Sequence, residues 1–339
     1  MPQINRQWRI ARRPDGRASV TDFAWREDPV PVPGAGQVLV RNLYLSLDPT
    51  NRPWMWAQDT YLPAQSLGDV MRGLAIGRVE QSDNPAFPVG CHVSGLLGWQ
   101  DYAVFGPGAR VVRLPDDASI PLTRHFGLFG HIGITAYFGV LDIGRAKAGE
   151  TLLVSGAAGA VGSLAGQIGK ITGCRVVGIA GTPEKCRWLV DELGFDAAID
   201  YRREPVAERI DTLCPDGIDV YFDNVGGPLL ETVIGRMKLR GRLALCGAIS
   251  QYNKAGVADF DPGPRNLFEL VARRLRMEGF LASDYASRAR EAIEALSKWH
   301  AEGRLKYRIH VIEGLEQAPA ALDKLFDGTN EGKLIVRIG

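Results

Sequence analysis

The chain has 339 residues, enough for two domains. Its 40 lysines and arginines against 39 aspartates and glutamates leave a formal net charge of +1, which excludes the strong positive field of a nucleic-acid or anionic-membrane binder. No apolar run reaches the roughly 18 residues of a membrane span.

The first residues, Met1 to Arg13, are polar and arginine-bearing, without the apolar segment of a secretory signal. Val38 to Ser46 alternates as a strand, and Ala75 to Glu80, Cys91 to Ser94, Tyr102 to Phe105 and Val111 to Leu114 are further short strands punctuated by proline and glycine. Short strands at such spacing predict a small β-barrel. Near Pro121 the texture changes, and the continuous apolar run His131 to Leu141 predicts a buried helix.

The chain is organised around Thr151 to Ser163. It reads as a buried strand (Thr151 to Val154), a glycine turn with Gly156, Gly159 and Gly162 three apart, and a helix starting near Ala160. Such a turn brings backbone close to a phosphate and aims helix N–H groups at it, although a glycine turn without a ligand has the same spacing. Gly166 and Gly169 continue the face, so this helix can lie close against a sheet. Strand two, Arg175 to Ala180, follows on schedule. Thr182 is then an N-cap with Pro183 at the first helical position, and the helix Lys185 to Leu193 closes at Gly194. Strands three to six are Ala197 to Tyr201, Ile218 to Asp223, Arg242 to Cys246 and Arg276 to Phe280. Tyr285 to Ala301 is a further helix, and the tail Lys333 to Ile338 is a strand suited to completing the first domain's barrel. Alternating strands and helices predict a doubly wound α/β Rossmann domain with a parallel sheet, over residues 123–307. The β domain takes residues 1–122 and 308–339.

No carboxylate stands at the tip of strand two, where an acid would hold the ribose 2′-hydroxyl of NAD. Lys185, in the first helical turn, is placed to reach a 2′-phosphate, or is a solvated helix lysine; the missing acid favours NADP. Glu184 beside it argues the other way.

Four motifs stand in order after this: the glycine turn, Asp223-Asn-Val-Gly-Gly227, Cys246-Gly-Ala-Ile-Ser-Gln-Tyr-Asn253 and Gly328-Thr-Asn-Glu-Gly-Lys333. With Leu45-Ser-Leu-Asp-Pro49 and Gly133-Ile-Thr-Ala-Tyr-Phe138, the set resembles the zinc-independent medium-chain dehydrogenase/reductase superfamily over essentially the whole chain. Within it, the chain is similar to the branch of prostaglandin reductase (leukotriene B4 12-hydroxydehydrogenase), 2-alkenal reductase and curcumin reductase. The resemblance implies a GroES-like barrel plus a Rossmann domain, a homodimer, and NADPH reduction of the C=C bond of α,β-unsaturated ketones and aldehydes, in a chain whose cysteine usage makes the cytoplasm the expected compartment. It implies that Gly159, Ala160, Val161 and Gly162 hold the pyrophosphate of NADP(H), and that Lys185 and Tyr201 face its 2′-phosphate. Asn224 and Asn330 would bind the inner portion of the cofactor. Cys246, Gly247, Ala248, Ile249, Ser250, Gln251 and Tyr252 would form a loop over its nicotinamide half, and Phe280 and Leu281 would line that pocket. Read from the residues alone, Asn224 and Asn330 are equally turn residues, and Tyr201 is equally sheet packing.

Two stretches depart from the family pattern. Thr50-Asn51-Arg52 replaces Tyr-Met-Arg, which keeps Arg52 as a substrate contact but removes the tyrosine. His131 and Ile132 replace a methionine and proline. The zinc-ligand block Gly-His-Glu is also missing, since the comparable stretch is Gly73-Leu-Ala-Ile-Gly77. His92 beside Cys91 points to the opposite face of a strand, so no metal is expected. The cysteines Cys91, Cys174, Cys186, Cys214 and Cys246 include no C-x-x-C pair, which fits a reduced compartment.

Without a Lewis acid, hydride delivery to a conjugated carbon is the easier chemistry, because charge spreads onto the carbonyl oxygen as an enolate. Tyr252 is the expected enolate partner and proton donor to the α-carbon, or else packs over the cofactor. Trp54, Trp56, Tyr61 and Trp99 suggest a flat or apolar small-molecule substrate, or core packing. Quinone reduction by the same hydride donor is the competing enzyme reading, and a non-catalytic NADPH-binding protein is the reading from another class.

Overall fold

Residues 3–338 are described by a computed structural model. By its internal contacts the chain forms two units, one of residues up to 125, 252–259 and 309 onward, the other of residues 126–251 and 260–308. The unit boundaries differ from the expected ones chiefly in the segment 252–259, which groups with the β-rich unit although its chain neighbours do not.

The first unit opens with seven strands: β1 (Ile4–Ile10), β2 (Phe23–Pro29), β3 (Val38–Ser46), β4 (Ala75–Ser82), β5 (His92–Gly95), β6 (Tyr102–Phe105) and β7 (Val111–Arg113). β1 and β2 pair antiparallel, with Trp8 opposite Trp25. β1 escaped the sequence reading because two of its four buried positions, Asn5 and Gln7, are polar and interrupt the apolar pattern of Trp8 and Ile10. Asn5 is buried and replaces an apolar contact with hydrogen bonds to the Tyr102 backbone, Nδ2 to O at 2.9 Å and Tyr102 N to Oδ1 at 2.8 Å.

The second unit carries β8 (Thr151–Val154), β9 (Arg175–Ala180), β10 (Ala197–Asp200), β11 (Ile218–Asp223), β12 (Met237–Leu245) and β13 (Arg276–Gly279). All pairs are parallel, in the order β10-β9-β8-β11-β12-β13. Numbered within this sheet, that is 3-2-1-4-5-6, the doubly wound nucleotide-binding order, with its switch of direction beside β8. β12 starts at Met237, ahead of the expected Arg242.

The chain then returns to the first unit as β14 (Ile309–Glu313) and β15 (Lys333–Arg337). The first unit's main sheet runs β14-β15-β3-β4-β5-β7, with β6 also on β3. The expected tail strand β15 therefore does pair with β3, antiparallel, Ile335 opposite Ser46.

Helix α1 (His131–Phe138) is shorter than the apolar run, which continues as a wider turn over Gly139–Ile143. In α2 (Ala160–Thr172) the glycines do what their spacing suggested. A Cβ at Gly166 would overlap the Phe195 ring, and one at Gly169 would overlap Leu152 of β8. α3 (Pro183–Arg187) is capped as expected, Thr182 Oγ1 accepting from Lys185 N at 3.2 Å, and then widens over Trp188–Glu192. The helix expected from Tyr285 begins at Ala289, after tighter turns over Ala282–Arg288. Among the described residues no helix is long and apolar enough to cross a membrane.

Candidate functional site

In the second unit the site is built at the C-terminal ends of β8, β9 and β11. After β8 the chain turns at Gly156 (φ 56°), where Ala157 N donates to the Ile179 carbonyl of β9 at 2.9 Å. Gly159 caps α2 in an extended conformation. The first N–H groups of α2, at Ala160, Val161 and Gly162, have no partner within the helix. A Cβ on Gly162 would overlap the Gly156 carbonyl oxygen, so only glycine keeps the turn this tight. The result is a narrow anion cradle at a helix N-terminus.

At the tip of β9, Gly181 packs on Tyr201, since a Cβ there would stand 2.8 Å from the Tyr201 ring. Tyr201 is half exposed, at 52 %, with the Arg202 guanidinium 5.7 Å from its ring centre. Lys185, half-buried, sits in the first turn of α3, which follows β9. Glu184 is engaged by Arg187, Nη2 to Oε1 at 3.1 Å. The rim thus gathers Lys185 and Tyr201 with their neighbour Arg202, a set suited to a phosphate rather than a ribose hydroxyl.

At the end of β11 the buried Asp223 carboxylate accepts from Ser155 Oγ (2.9 Å), Tyr221 OH (2.8 Å) and the amides of Val225 and Gly226. Burial pushes the Tyr221 hydroxyl well above its usual value, which keeps it a donor to Asp223. Asn224 is locked by the same network, its backbone N donating to Ser155 Oγ (2.9 Å) and its Nδ2 donating to the Ser155 carbonyl (2.7 Å). The sequence reading gives no role to Ser155 or to Asp223, the residue that opens the Asp223–Gly227 motif. Their signal was a hydroxyl and a carboxylate at the ends of two adjacent buried strands.

The loop from Cys246 hangs on the same strand end. Cys246 N and Gly247 N donate to the Asp223 carbonyl, Ile249 N to that of Asn224, and Ser250 N and Oγ to that of Val225. Gly247, Ala248 and Ile249 are half-buried and Ser250 exposed. Burial, aided by Asp223, pushes the Cys246 thiol up to about 12, so it is no nucleophile at neutral pH. Phe280 is buried: it packs edge-on against Phe222 and fills the space beside Gly139. Its ring belongs to the core, and Leu281 beside it is half-buried.

The other expected residues lie in the first unit. Asn330 is buried at the turn before β15, Nδ2 donating to Gly332 O at 3.0 Å. Tyr252 is half-buried at the start of the 252–259 loop. Arg52 does not match its expected role. It is wholly buried, and its Nε and Nη2 are given to main-chain carbonyls, so it presents no charge to a substrate. Of the two readings open for the tryptophans, burial favours core packing. Trp54, Trp56 and Trp99 are buried, Trp99 stacking on Phe23 at 5.3 Å, and of that aromatic group only Tyr61 is exposed. Cys91 is buried and His92 half-buried, and no three His, Cys, Asp or Glu side chains gather as a metal site among the described residues.

Comparison with known proteins agrees with this geometry. Residues 6–114 match the model for the N-terminal domain of oxidoreductases, and residues 160–298 the model described as zinc-binding dehydrogenase. The chain is 42% identical to NADPH-dependent curcumin reductase of Escherichia coli, covering 99% of this chain and 97% of that protein. It is 42% identical to prostaglandin reductase 1 of Rattus norvegicus, covering 97% and 98%. The crystal structure of CurA from Vibrio vulnificus in complex with NADPH superposes with a TM-score of 0.92 at 40% identity, covering 98% and 99%. The chain belongs to the medium-chain dehydrogenase/reductase family, in the zinc-independent branch of the curcumin, prostaglandin and 2-alkenal reductases.

Proposed function

We propose that the protein is an NADPH-dependent reductase of the C=C bond of α,β-unsaturated ketones and aldehydes. The observation that carries this reading is the 42% identity to NADPH-dependent curcumin reductase over 99% of the chain. The residues present fit the cofactor. The cradle kept tight by the close approach of Gly162 to the Gly156 carbonyl takes a pyrophosphate, held by the amides of Ala160, Val161 and Gly162 at the helix start that Gly159 caps. Lys185 and Tyr201 take the 2′-phosphate. Asn224 and Asn330, the backbone from Cys246 to Gln251, and residues Phe280 and Leu281 take the remainder.

NADPH supplies a hydride to the substrate β-carbon. The negative charge then resides on the carbonyl oxygen, and the protein must hold that oxygen and place a proton on the α-carbon. We assign both tasks to Tyr252 in sequence: its phenolic O–H first hydrogen-bonds the oxygen, then passes that proton to the α-carbon and takes another back from solvent.

The test is NADPH oxidation with a medium-chain 2-enal, an aryl enone and a quinone. Turnover of the enones, with the saturated carbonyl recovered, supports the reading. Turnover of the quinone alone would replace it with quinone reduction, and binding of NADPH without oxidation would make the protein a non-catalytic binder.

We further propose that the first unit is a GroES-like domain and that the protein is a cytoplasmic homodimer. All five cysteines are free thiols, which supports a reducing compartment. β13 is an edge strand, and the short helix before it exposes Phe268 at 75 % and Val271 at 67 %, which supports pairing of two copies through this edge. Sedimentation of the protein at micromolar concentration tests the dimer.

A further inference from the structure

The one wholly buried arginine described above is accounted for by the loop it touches. Arg52 Nη2 donates to the Lys254 carbonyl at 3.2 Å, and Trp56 Nε1 donates to the same oxygen at 2.8 Å. A carbonyl oxygen has two lone pairs, and here both are filled from one short segment of the first unit. Arg52 also holds Gly16 O from Nε (2.9 Å) and Nη2 (2.8 Å), and Pro14 O from Nη2 (3.0 Å). The guanidinium is thus a staple across three pieces of chain. Every acceptor it meets is a main-chain carbonyl, so each one is needed to offset the cost of burying the charge. Nη2 carries two hydrogens and meets three acceptors, so it shares a donor with the Lys254 carbonyl, and Trp56 Nε1 is the donor that carbonyl holds alone. Gly256, farther along the loop, is buried with Gln58 against it, at 3.3 Å from where a Cβ would stand. At the base of the loop, Gln251 and Asp261 bond reciprocally, Asp261 N to Gln251 Oε1 at 2.9 Å and Gln251 Nε2 to Asp261 Oδ2 at 3.1 Å.

We propose that Arg52 and Trp56 are positioning residues for Tyr252, fixing its phenol through the Lys254 carbonyl two residues along the chain. This rests on the assignment of Tyr252 as proton donor. A donor must be held to within a fraction of an ångström of its acceptor, and the tie at Lys254 fixes the backbone two residues from the phenol, within the loop of residues 252–259. The staple supplies the tie without touching the substrate.

The experiment combines kinetics and amide hydrogen exchange on the full-length protein with NADPH and an enone. The variants are Arg52→Lys, Trp56→Phe and Tyr252→Phe, alone and paired. Trp56→Phe removes the indole donor, with some loss of buried ring volume, and serves if the arginine variant folds poorly. Expected are a roughly 10- to 100-fold fall in kcat for Arg52→Lys, KM for NADPH within about twofold of the parent, and exchange at residues 253–258 faster by about tenfold. In a Tyr252→Phe background, Arg52→Lys should cost nothing further in kcat, because the group it positions is gone. Additive losses would overturn the proposal and leave Arg52 a general structural residue, as would unchanged exchange in the loop. Full kcat in Tyr252→Phe alone would overturn the donor assignment itself, and faster loop exchange in Arg52→Lys would then support the staple without its catalytic purpose.

Discussion

Lys333 Nζ lies 2.6 Å from Asp48 Oδ1 and 2.8 Å from the Leu47 carbonyl, with only 2 % of the lysine exposed. The pair joins the first residue of β15 to the Leu47-Asp48-Pro49 turn that follows β3, so it fixes the return of the chain's end onto the first unit's sheet. Burial lowers the pKa of the lysine, and Asp48 opposes that by stabilising the ammonium. Removing one partner strands the other charge. Lys333→Met should destabilise the first unit by about 3–5 kcal/mol, read as a lower urea midpoint. The paired change Lys333→Met with Asp48→Leu should recover part of that loss, because no buried charge is left unpaired. Equal losses for the single and paired variants would mean that packing, not charge, is at stake.

Gly166 and Phe195 make a second pair with a direct test. Gly166 lies on the face of α2 where a Cβ would enter the Phe195 ring. Gly166→Ala should cost about 1–3 kcal/mol by overpacking, despite alanine's better helix propensity. Phe195→Leu opens the space, so the double variant should be more stable than the sum of the two singles predicts. Thermal melts of the four proteins decide this, and strict additivity would show that the helix shifts instead of clashing.

Cofactor choice rests on the rim at the end of β9. A charge-assisted bond from Lys185 to a 2′-phosphate contributes about 1.5–3 kcal/mol, equivalent to one to two decades in affinity. Lys185→Ala should therefore raise KM for NADPH roughly 10- to 100-fold and leave KM for NADH nearly unchanged. Tyr201→Phe should have a smaller effect of the same kind. Equal effects on both cofactors would place Lys185 outside the phosphate site.

How much of this was legible in the sequence differed between the two units. The parallel sheet was readable because its strands are buried on both faces and give continuous apolar runs, and because glycine spacing in α2 reports close approach to Phe195 and Leu152. Strand β1 was not, because Asn5 and Gln7 point inward and satisfy themselves by hydrogen bonds that no hydrophobic pattern records. Arg52 was misread for the opposite reason. A charged residue in a loop motif reads as exposed, and the three carbonyl partners that let it be buried come from residues 14, 16 and 254, far apart in the chain. Trp54, Trp56 and Trp99 share that lesson, since residue type alone does not separate a substrate wall from a core. The network of Ser155, Tyr221 and Asp223 around Asn224 likewise depends on β8 and β11 being neighbours, which is a property of strand order.

The Cys246 thiol gives a prediction in pH. Burial first, and then the nearby Asp223 carboxylate, raise its pKa from 9.0 to about 12. Below pH 9 the thiol is protonated in the folded and unfolded chains alike, and it adds no pH dependence. Between 9 and about 12 the unfolded chain releases this proton while the folded protein keeps it. The unfolded state binds fewer protons there, so stability must fall as pH rises through that window. Cys246→Ala lacks this slope. The other cysteines raised to about 11, Cys174, Cys186 and Cys214, are present in both proteins and cancel in the comparison. Urea unfolding of parent and variant at about pH 8 and about pH 10.5 should give a stability difference that shifts in the variant's favour at the higher pH. The folded parent should also resist alkylation at neutral pH, because its thiolate fraction is negligible. A difference that does not change with pH would mean that Cys246 ionises as freely in the folded protein as in the unfolded chain, and that the loop over the end of β11 opens to solvent.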